Sequence, residues 1–396
     1  MSPTGRLVVV GGCGHVGLPL ALLAAERGRP TTIYDINRAS IERVRAGQMP
    51  FIERGADELL PRVLASGRLE LTDRPECVAD ASVIVLVVGT PVDEHLHPRV
   101  EALFQALEPC LPHLRAGQLL ILRSTVFPGM SRKVQEHLTA RGLDVDVAFC
   151  PERVAQGHTL EELQRLPQIV SAFSPRGLAA ARDFFAPIAP RLIELEPLEA
   201  ELAKLFTNSY RYLQFAIVNQ FYMIAQGQGA DYARIQAAIT ADYPRLQHMP
   251  GPGLAAGPCL LKDTMQLASF TQHHFSLGLA AVWINEGLPD FLVDQLKRER
   301  PGLRDETVGL LGMAFKAESD DVRDSLSYRL KKLLQLEARQ VLCTDPLVQD
   351  PGLVPLERVL AEAQVLVVGA PHRVYRGLAL RPGTHVVDVW GCVARA

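Results

Sequence analysis

The sequence predicts an α/β protein in which two doubly wound α/β domains are joined by a central helical domain with a long connecting helix. Two observations support this prediction. Short runs of β-branched residues alternate with amphipathic stretches in the first half of the chain and again after residue 306, a pattern typical of a parallel sheet covered by helices on both faces. Between these two regions, apolar residues recur at helical spacing from Leu202 to Ile224, which predicts one long helix.

The strand runs set the order of the elements. In the first half, strands are expected over residues 6–12, 31–35, 81–91, 118–125, 144–152 and 168–173. After the charged segment 298–306, strands are expected over residues 307–315, 339–346, 363–371 and 384–391. The long helix is expected over residues 198–228, on the order of 45 Å at 1.5 Å per residue, a length that suits a connection between domains or subunits. We therefore divide the chain into residues 1–196, 197–300 and 301–396.

Composition excludes several classes of protein. A formal net charge of −3 over 396 residues gives no basic surface for nucleic acid or for a membrane. No apolar run approaches the roughly 18 residues that span a bilayer, and the N-terminal residues do not resemble a signal peptide. The seven cysteines include no C-x-x-C pair, and the histidines lack metal-ligand spacing, so we expect neither a disulfide framework nor a metal site. A cytoplasmic protein is the expectation.

The first strand leads into a dinucleotide-binding pattern. "VVVGGCGHVGLPLA" places Gly12, Gly14 and Gly17 between a predicted strand and a predicted helix, with Cys13, His15 and Val16 at the intervening positions. Such glycines let a pyrophosphate approach the helix N-terminus. Asp35 ends the next strand, 21 residues after Gly14, where a carboxylate accepts ribose hydroxyls and repels a 2′-phosphate. The pattern predicts a Rossmann-like domain that binds NAD; a purely structural glycine turn is the alternative.

Polar residues follow the next strands. In a doubly wound sheet, ligands lie at the carboxyl ends of the strands. The residues expected there on the cofactor side are Gly89, Thr90, Pro91, Ser124 and Thr125, and Glu152 follows a further strand. Taken singly, a serine or threonine after a strand is more often a turn residue or a helix cap, and a glutamate such as Glu152 is more often a solvated loop carboxylate.

The predicted long helix carries three polar residues on one stripe. Glu201, Lys204 and Asn208 are spaced i, i+3 and i+7, and the last two are hydrogen-bond donors suited to holding an oxyanion. The alternative is a solvated face with a Glu–Lys pair.

Two later segments combine glycines with charged or nucleophilic residues. "GPGLAAGPCLLKD" (251–263) places Cys259 on a glycine-rich segment just before Lys262 and Asp263, which is compatible with a nucleophilic thiol or with a packed one. "GMAFKAESDDVRDS" (312–325) groups the charged residues Lys316, Asp320, Asp321 and Arg323 before a helix. That group is either a helix cap or a nucleotide or phosphate site.

Taken together, these segments resemble the UDP-glucose/GDP-mannose dehydrogenase family, the NAD-dependent nucleotide-sugar 6-dehydrogenases. The segments similar to the family's motifs, in the family's order, are "GCGHVGLPLA", "STVFPG", "CPERVAQG", "ELAKLFTNSYR", "GPCLLKD" and "GMAFKAESDDVRDS". The resemblance implies four-electron oxidation of the C6 hydroxyl of a UDP-hexose or UDP-N-acetylhexosamine to the uronate. The implied intermediates are a cysteine thiohemiacetal and a thioester.

The resemblance also implies roles for individual residues. Cys259 would be the nucleophile, with Lys204 and Asn208 as oxyanion donors. Water would be held or activated by Asp263, Thr125 and Glu152, with Glu152 as general base. Lys262 and Arg323 would lie on the cofactor side of the cleft. The implied substrate-binding residues are Glu152, Arg153, Lys204, Asn208, Arg245, Gly253 and Lys316. Arg245 would reach the partner's site in a homodimer or higher homo-oligomer.

Some positions depart from the family pattern. Ala255-Ala256-Gly257 replaces the usual Gly-Gly, and Pro258 resembles N-acetylmannosamine-type members, whereas Lys262 follows the glucose and mannose pattern. Leu326 stands where the family has a proline. The sugar therefore stays open between plain and N-acetylated hexoses. Two other functions stay open: a two-electron dehydrogenase of the 3-hydroxyacid or 6-phosphogluconate type, and a nucleotide-sugar-binding protein with a decayed site.

Overall fold

The computed structural model describes residues 5–90, 93, 99, 101–272 and 274–393. The chain forms two compact units, residues 1–207 and 208–396, and the division into three domains at residues 196 and 300 stays a prediction. Among the helices in the described ranges, none has both the length and the apolar character needed to cross a membrane.

The first unit is organised around an eight-stranded sheet. Its strands are β1 (Arg6–Val10), β2 (Thr31–Tyr34), β3 (Leu69–Thr72), β4 (Ala81–Leu86), β5 (Leu119–Leu122), β6 (Asp146–Phe149), β7 (Gln168–Ala172) and β8 (Leu192–Glu194). Their order across the sheet is β3-β2-β1-β4-β5-β6-β7-β8. The six strands from β3 to β6 in this order are parallel to one another, which confirms the predicted parallel sheet over this part.

The far edge of the sheet differs from the prediction. β7 runs antiparallel to β6, because α6 (Thr159–Arg165) in the intervening connection packs against α1 (Gly17–Glu26) and does not form the crossover that a parallel pair needs. β3 and β8 were not predicted, since both are short and carry partly exposed residues. β4 and β6 also end earlier than expected, at Leu86 and Phe149.

Helices cover both faces of this sheet. Besides α1 and α6, they are α2 (Arg38–Arg45), α3 (Ala56–Ala65), α4 (Glu101–Leu107), α5 (Met130–Ala140) and α7 (Pro175–Phe185), with 3₁₀ turns at Pro75–Asp80 and Glu108–His113. One apolar cluster includes Leu20, Leu60 and Phe184, and a second includes Leu107 and Val134. The two clusters bury the two faces of strands such as "LVVV", as the nearly continuous apolar runs require.

The long helix α8 covers Pro197–Gly227, which confirms the prediction. Its apolar residues are divided between two environments. Tyr212, Ala216 and Val218 are buried, whereas Ile217, Phe221 and Ile224 are about half exposed. Part of the apolar pattern that predicted the helix therefore lies on its outer side.

The second unit combines helices with a smaller sheet. Its elements after α8 are α9 (Tyr232–Thr240), α10 (Leu260–Phe270), α11 (Ser276–Glu299), β9 (Thr307–Leu311), α12 (Leu326–Glu337), β10 (Gln340–Thr344), α13 (Leu356–Glu362), β11 (Val365–Val368) and β12 (His385–Val387), with 3₁₀ turns at Leu303–Asp305 and Arg373–Tyr375. The sheet order is β10-β9-β11-β12, and all its pairs are parallel. The expected second doubly wound sheet is confirmed.

Candidate active site

The glycine loop between β1 and α1 is tight on one side and open on the other. A Cβ atom at Gly12 would lie 2.9 Å from the side chain of Ile33, and one at Gly17 would lie 2.8 Å from the Cα of Gly12. At the exposed Gly14, by contrast, a Cβ would meet nothing closer than 3.9 Å. The N-cap residue of α1, Val16, also supplies no side-chain hydrogen bond. Backbone N–H groups at this helix end are therefore open to a pyrophosphate.

Asp35, the predicted ribose-binding residue, is hydrogen-bonded to the backbone of this loop. Its Oδ2 accepts a 2.9 Å hydrogen bond from the backbone N–H of Cys13, and its Oδ1 accepts one of 2.9 Å from Asn37. Burial, and then the charge of Asp35, raises the pKa of the Cys13 thiol to about 12, so Cys13 contributes its backbone N–H and not a thiolate. His15 packs on Phe51 with ring centroids 3.9 Å apart.

Hydroxyl groups tie together the ends of β4 and β5. Ser124 Oγ donates to the carbonyl of Val88 (2.7 Å) and accepts from its N–H (2.8 Å). Thr90 Oγ1 donates to the carbonyl of Thr125 (2.7 Å). Ser124 thus fixes the two strand ends, a function that its sequence context alone did not indicate. Gly89 is exposed beside them, and Pro91 lies outside the described residues.

Glu152 and Lys204 form a shielded pair in the first unit. Lys204 Nζ lies 3.3 Å from Glu152 Oε1, and Glu152 Oε2 accepts a 2.8 Å hydrogen bond from the N–H of Val154. The Lys204 side chain is 5% exposed and that of Glu152 is 15% exposed. The neighbouring Arg153 donates to the carbonyl of Pro167. The arrangement places a carboxylate beside an ammonium group with little solvent around either.

The stripe on α8 is buried, so the alternative of a solvated Glu–Lys face is wrong. Glu201, Lys204 and Asn208 are 1%, 4% and 5% exposed. Glu201 accepts hydrogen bonds from the N–H groups of Gly129 (2.6 Å) and Ser131 (2.8 Å), and from the Ser131 hydroxyl (2.6 Å). It therefore caps the N-terminus of α5, where backbone donors lack helical partners.

In the second unit, Cys259 is set apart from the other cysteines. It is the exposed one of the seven, all of which lie in the described ranges and none of which forms a disulfide. It occupies the N-cap position of α10, where the helix dipole favours a thiolate. Burial raises the pKa of the six other thiols to about 11 or 12: Cys13, Cys77, Cys110, Cys150, Cys343 and Cys392.

One helical turn after Cys259, a buried carboxylate joins two predicted site residues. Asp263 is fully buried, and its Oδ2 accepts a 2.6 Å hydrogen bond from Asn208 Nδ2. Lys262 Nζ lies 3.1 Å from Asp263 Oδ1. The backbone N–H of Asp263 bonds the carbonyl of Cys259 at 2.9 Å. Asn208 is thereby held against α10, whose N-cap residue is Cys259.

The glycine-rich segment before Cys259 is anchored to the rest of the second unit. Asn219 of α8 binds both the N–H (2.8 Å) and the carbonyl (3.0 Å) of Gly253. A Cβ at Gly253 would lie 2.1 Å from the ring of Trp390, and one at Gly257 would lie 2.5 Å from the ring of Phe315. These glycines are required by close packing against aromatic rings. Sequence reasoning missed Asn219 and Trp390, which stand far from the segment in sequence.

The charged residues of the C-terminal loop are partly engaged with each other. Arg323 Nη2 lies 2.6 Å from Asp321 Oδ2. The N-cap residue of α12 is Ser325, and so the helix cap is not supplied by the four charged residues. Lys316 Nζ lies 5.7 Å from the centroid of the Phe315 ring. Arg245 is exposed and packs on the Tyr243 ring at 5.5 Å.

Asp345, which sequence reasoning also missed, repeats the role of Asp35 in the second sheet. It follows β10, and its Oδ2 accepts hydrogen bonds from the N–H groups of Met313 (2.6 Å) and Ala314 (3.0 Å) after β9. Burial acts to raise the pKa of Asp345, but hydrogen bonds from His372 and from backbone N–H groups outweigh it and lower the pKa to about 2. An aspartate at the end of a strand, as in "CTD", was the available signal.

Comparisons with known proteins match this organisation along the chain. Models of the UDP-glucose/GDP-mannose dehydrogenase family match at the NAD binding domain (residues 6–189), the central domain (198–286) and the UDP binding domain (309–395). No metal-binding cluster of histidine, cysteine or acidic residues occurs in the described ranges.

Individual relatives carry different sugar names. A UDP-N-acetyl-D-mannosamine dehydrogenase from Pyrococcus horikoshii is 30% identical, with 94% of this chain and 90% of the relative covered. An NDP-N-acetyl-D-galactosaminuronic acid dehydrogenase from Ralstonia nicotianae is 27% identical, with 94% and 92% covered. The solved structure of a UDP-glucose dehydrogenase from Pyrobaculum islandicum superposes with a TM-score of 0.89 at 29% identity, with 97% of this chain and 94% of that chain covered. With three family domains matched in order over most of its length, the chain belongs to the UDP-glucose/GDP-mannose dehydrogenase family, and its first Rossmann-like sheet is that family's NAD binding domain.

Proposed function

We propose that this protein is an NAD-dependent nucleotide-sugar 6-dehydrogenase that oxidises the C6 hydroxyl of a UDP-hexose or UDP-N-acetylhexosamine to a carboxylate. The observation that carries the proposal is the setting of Cys259, an exposed thiol at the N-terminus of α10 with Asp263 and Asn208 bonded one turn further on. A two-electron dehydrogenase has no use for such a thiol. The relatives' names support the nucleotide-sugar class and differ in the sugar.

The first oxidation converts the alcohol to an aldehyde. NAD⁺, when bound along the glycine loop and Asp35, supplies the hydride acceptor for this oxidation and for the next. The hydroxyl proton leaves to solvent as the hydride leaves C6. The donors that we assign to the substrate oxygen are Lys204 and Asn208, because an ammonium and an amide N–H stabilise developing negative charge in a shielded site. Asp263 takes one N–H of Asn208 and so leaves the other for substrate.

The second oxidation uses the thiol. The Cys259 sulfur adds to the aldehyde carbon and forms a thiohemiacetal, whose carbon can again lose hydride, leaving a thioester. Water then attacks the carbonyl, Glu152 accepts its proton, and the C–S bond breaks to regenerate the thiol and release the carboxylate. The balance is one alcohol, one water and two NAD⁺ giving one carboxylate, two NADH and three protons.

The remaining predicted residues have supporting roles in this proposal. On the cofactor side these are Gly12, Cys13, Gly14, His15, Val16, Gly17, Gly89, Thr90, Ser124, Thr125, Lys262 and Arg323, and on the substrate side Arg153, Gly253 and Lys316. We further propose a homodimer in which the outer side of α8, with Ile217, Phe221 and Ile224, is covered, since apolar side chains in such a row mark an interface. The exposed Arg245 would then serve the partner's substrate. A reducing, cytoplasmic location suits seven cysteines without a disulfide.

The test is a panel of UDP-, GDP- and dTDP-sugars with NAD⁺, in which NADH formed is counted against sugar consumed. Two NADH per sugar are expected, with uronate as the product, and one per sugar would contradict the four-electron scheme. Cys259→Ser should abolish uronate formation, with Cys77→Ser as the matched control. Binding of NAD⁺ and UDP-sugars without any NADH would favour the decayed binding protein.

A further inference from the structure

Arg123 is a buried cation immediately after β5. It is 1% exposed and is among the largest fully buried side chains of the described residues. A buried charge is costly unless hydrogen bonds or an opposite charge compensate it. Within the described ranges, no carboxylate lies at ion-pair distance from its guanidinium. Its contacts are neutral: Nη1 donates to the carbonyl of Cys150 (3.1 Å) and to Gln168 Oε1 (3.0 Å), and the guanidinium lies 5.2 Å from the centroid of the Phe185 ring.

Gln168 extends these contacts to the next residue of the same loop. While its Oε1 accepts from Arg123, its Nε2 donates to the carbonyls of Pro151 (2.9 Å) and Ile169 (2.7 Å). The two side chains therefore hold the carbonyl groups of residues 150 and 151 in succession. The backbone N–H of Cys150 is held as well, by the carbonyl of Leu122 at 3.0 Å. The backbone just before Glu152 is therefore held both through an N–H group and through two carbonyl groups.

The charges of Glu152 and Arg123 also interact electrostatically. Burial lowers the pKa of Arg123, while the negative charge of Glu152 acts in the opposite direction, so the guanidinium and this carboxylate interact through a region of low polarity. Lys204 contacts the same carboxylate directly at 3.3 Å. One cation, Lys204, therefore contacts the Glu152 carboxylate directly. A second, Arg123, is hydrogen-bonded to the backbone two residues before Glu152.

We propose that Arg123, together with Gln168, is a positioning residue for Glu152, and that it acts on the hydrolysis of the thioester through the orientation of that carboxylate. This inference rests on the proposed function, in which Glu152 accepts the proton of the attacking water. Misplacement of a catalytic group by a distant substitution costs up to about 10²-fold in rate. Loss of Arg123 or Gln168 should therefore slow the hydrolysis of the thioester and leave the two hydride transfers largely unaffected.

A purely structural role makes a different prediction. Arg29 offers the matched case, because it too is partly buried, binds a backbone carbonyl (Gly5, 2.9 Å) and lies 5.1 Å from the ring centroid of Phe184, the neighbour of Phe185. It stands before β2, at the opposite end of the strands from Glu152. If Arg123 only supports the sheet, Arg123→Met and Arg29→Met should lose stability and activity in the same manner.

The experiment measures acyl-enzyme by mass spectrometry of acid-quenched protein, together with NADH release. The variants Arg123→Met, Arg123→Lys, Gln168→Met, Arg29→Met and Glu152→Gln are mixed with NAD⁺ and the UDP-sugar that the wild type turns over fastest. We expect Arg123→Met to give a burst of two NADH per site, an adduct on the Cys259 peptide, and turnover about 10- to 100-fold below wild type. Gln168→Met, which leaves the Arg123 hydrogen bond to the carbonyl of Cys150 in place, should give a smaller effect, and Arg123→Lys should retain more of the rate than Arg123→Met.

The controls separate failure of this inference from failure of the proposed function. If Glu152→Gln accumulates the adduct but Arg123→Met and Gln168→Met, each shown to be folded by thermal melting and NAD⁺ binding, do not, Arg123 is no positioning residue. The same conclusion follows if Arg29→Met accumulates adduct equally. The proposed function itself is wrong if the wild type fails to yield two NADH per sugar and Glu152→Gln also fails to form an adduct.

Discussion

The side-chain amide of Asn208 donates a 2.6 Å hydrogen bond to Asp263, a carboxylate with no solvent exposure. Removing the donor leaves a buried carboxylate oxygen without its hydrogen bond. Asn208→Ala should therefore lower the free energy of unfolding by about 1–3 kcal/mol, as measured by denaturant titration. The neighbouring Ser209→Ala is the control, because Ser209 is also buried but its hydroxyl makes no hydrogen bond. Equal losses in the two variants would contradict this account of the pair.

Thiol labelling should single out Cys259. Alkylation requires thiolate, and burial raises the pKa of the six other cysteines to about 11 or 12. Iodoacetamide at pH 7.5 should modify Cys259 first in the folded protein, and one equivalent should suffice to stop turnover. Peptide mass mapping at successive times identifies the site. Early modification of Cys77 or Cys392, the two partly exposed thiols, would count against the prediction.

Two glycines of the same loop should respond differently to alanine. At Gly14 a Cβ has 3.9 Å of space, but it would occupy the open side that we assign to the pyrophosphate. Gly14→Ala should raise the Kd for NAD⁺ at least about tenfold, equivalent to 1.4 kcal/mol, with an unchanged melting temperature. Gly17→Ala places a Cβ 2.8 Å from the backbone of Gly12 and should destabilise the fold. Calorimetric titration and thermal melting distinguish these outcomes.

The segment leading to Cys259 should be intolerant of alanine at one glycine and tolerant at another. Gly253→Ala directs a Cβ into the Trp390 ring at 2.1 Å, whereas a Cβ at Gly251 meets nothing within 4 Å. We expect Gly253→Ala to cost about 1–3 kcal/mol of unfolding free energy and to reduce turnover, because it displaces the chain before the thiol. Gly251→Ala should resemble wild type in both assays. Indistinguishable variants would contradict the packing argument.

Asp345 should make the stability of the second unit depend on pH in the acid range. Its pKa is lowered to about 2 in the folded protein from an ordinary value of 3.8, so its stabilising contribution is present above pH 4 and is lost as the pH falls towards 2. The contribution is about 2 kcal/mol. Unfolding free energies measured between pH 3 and pH 6 should decline less steeply in Asp345→Asn than in the wild type. Parallel declines in the two proteins would refute this assignment.

Sequence reasoning was most reliable where a local pattern repeats along the chain. The alternation of strands and helices, the glycine loop before α1 and the length of α8 could be predicted because each depends on neighbouring residues. β3 and β8 were missed, since an edge strand such as "LELT" is half exposed and lacks the continuous apolar run of a central strand.

Long-range contacts within each unit could not be predicted in the same manner. Glu201 caps α5 and does not pair with Lys204, because it binds residues about 70 positions away in the sequence. The pairing of Gly253 with Trp390 and of Arg123 with the carbonyl of Cys150 likewise arises only after the sheets and helices have packed.

The unequal exposure of the cysteines has a consequence for oxidative stress. Peroxide attacks accessible thiolates, and further oxidation beyond the sulfenic acid cannot be reversed by ordinary reductants. Four of the cysteines are buried, and Cys77 and Cys392 are partly exposed but have raised pKa values, whereas Cys259 is exposed. Oxidation should therefore concentrate on the Cys259 sulfur and inactivate the protein while its fold persists. After brief exposure to peroxide, dithiothreitol should restore activity. After prolonged exposure, it should not.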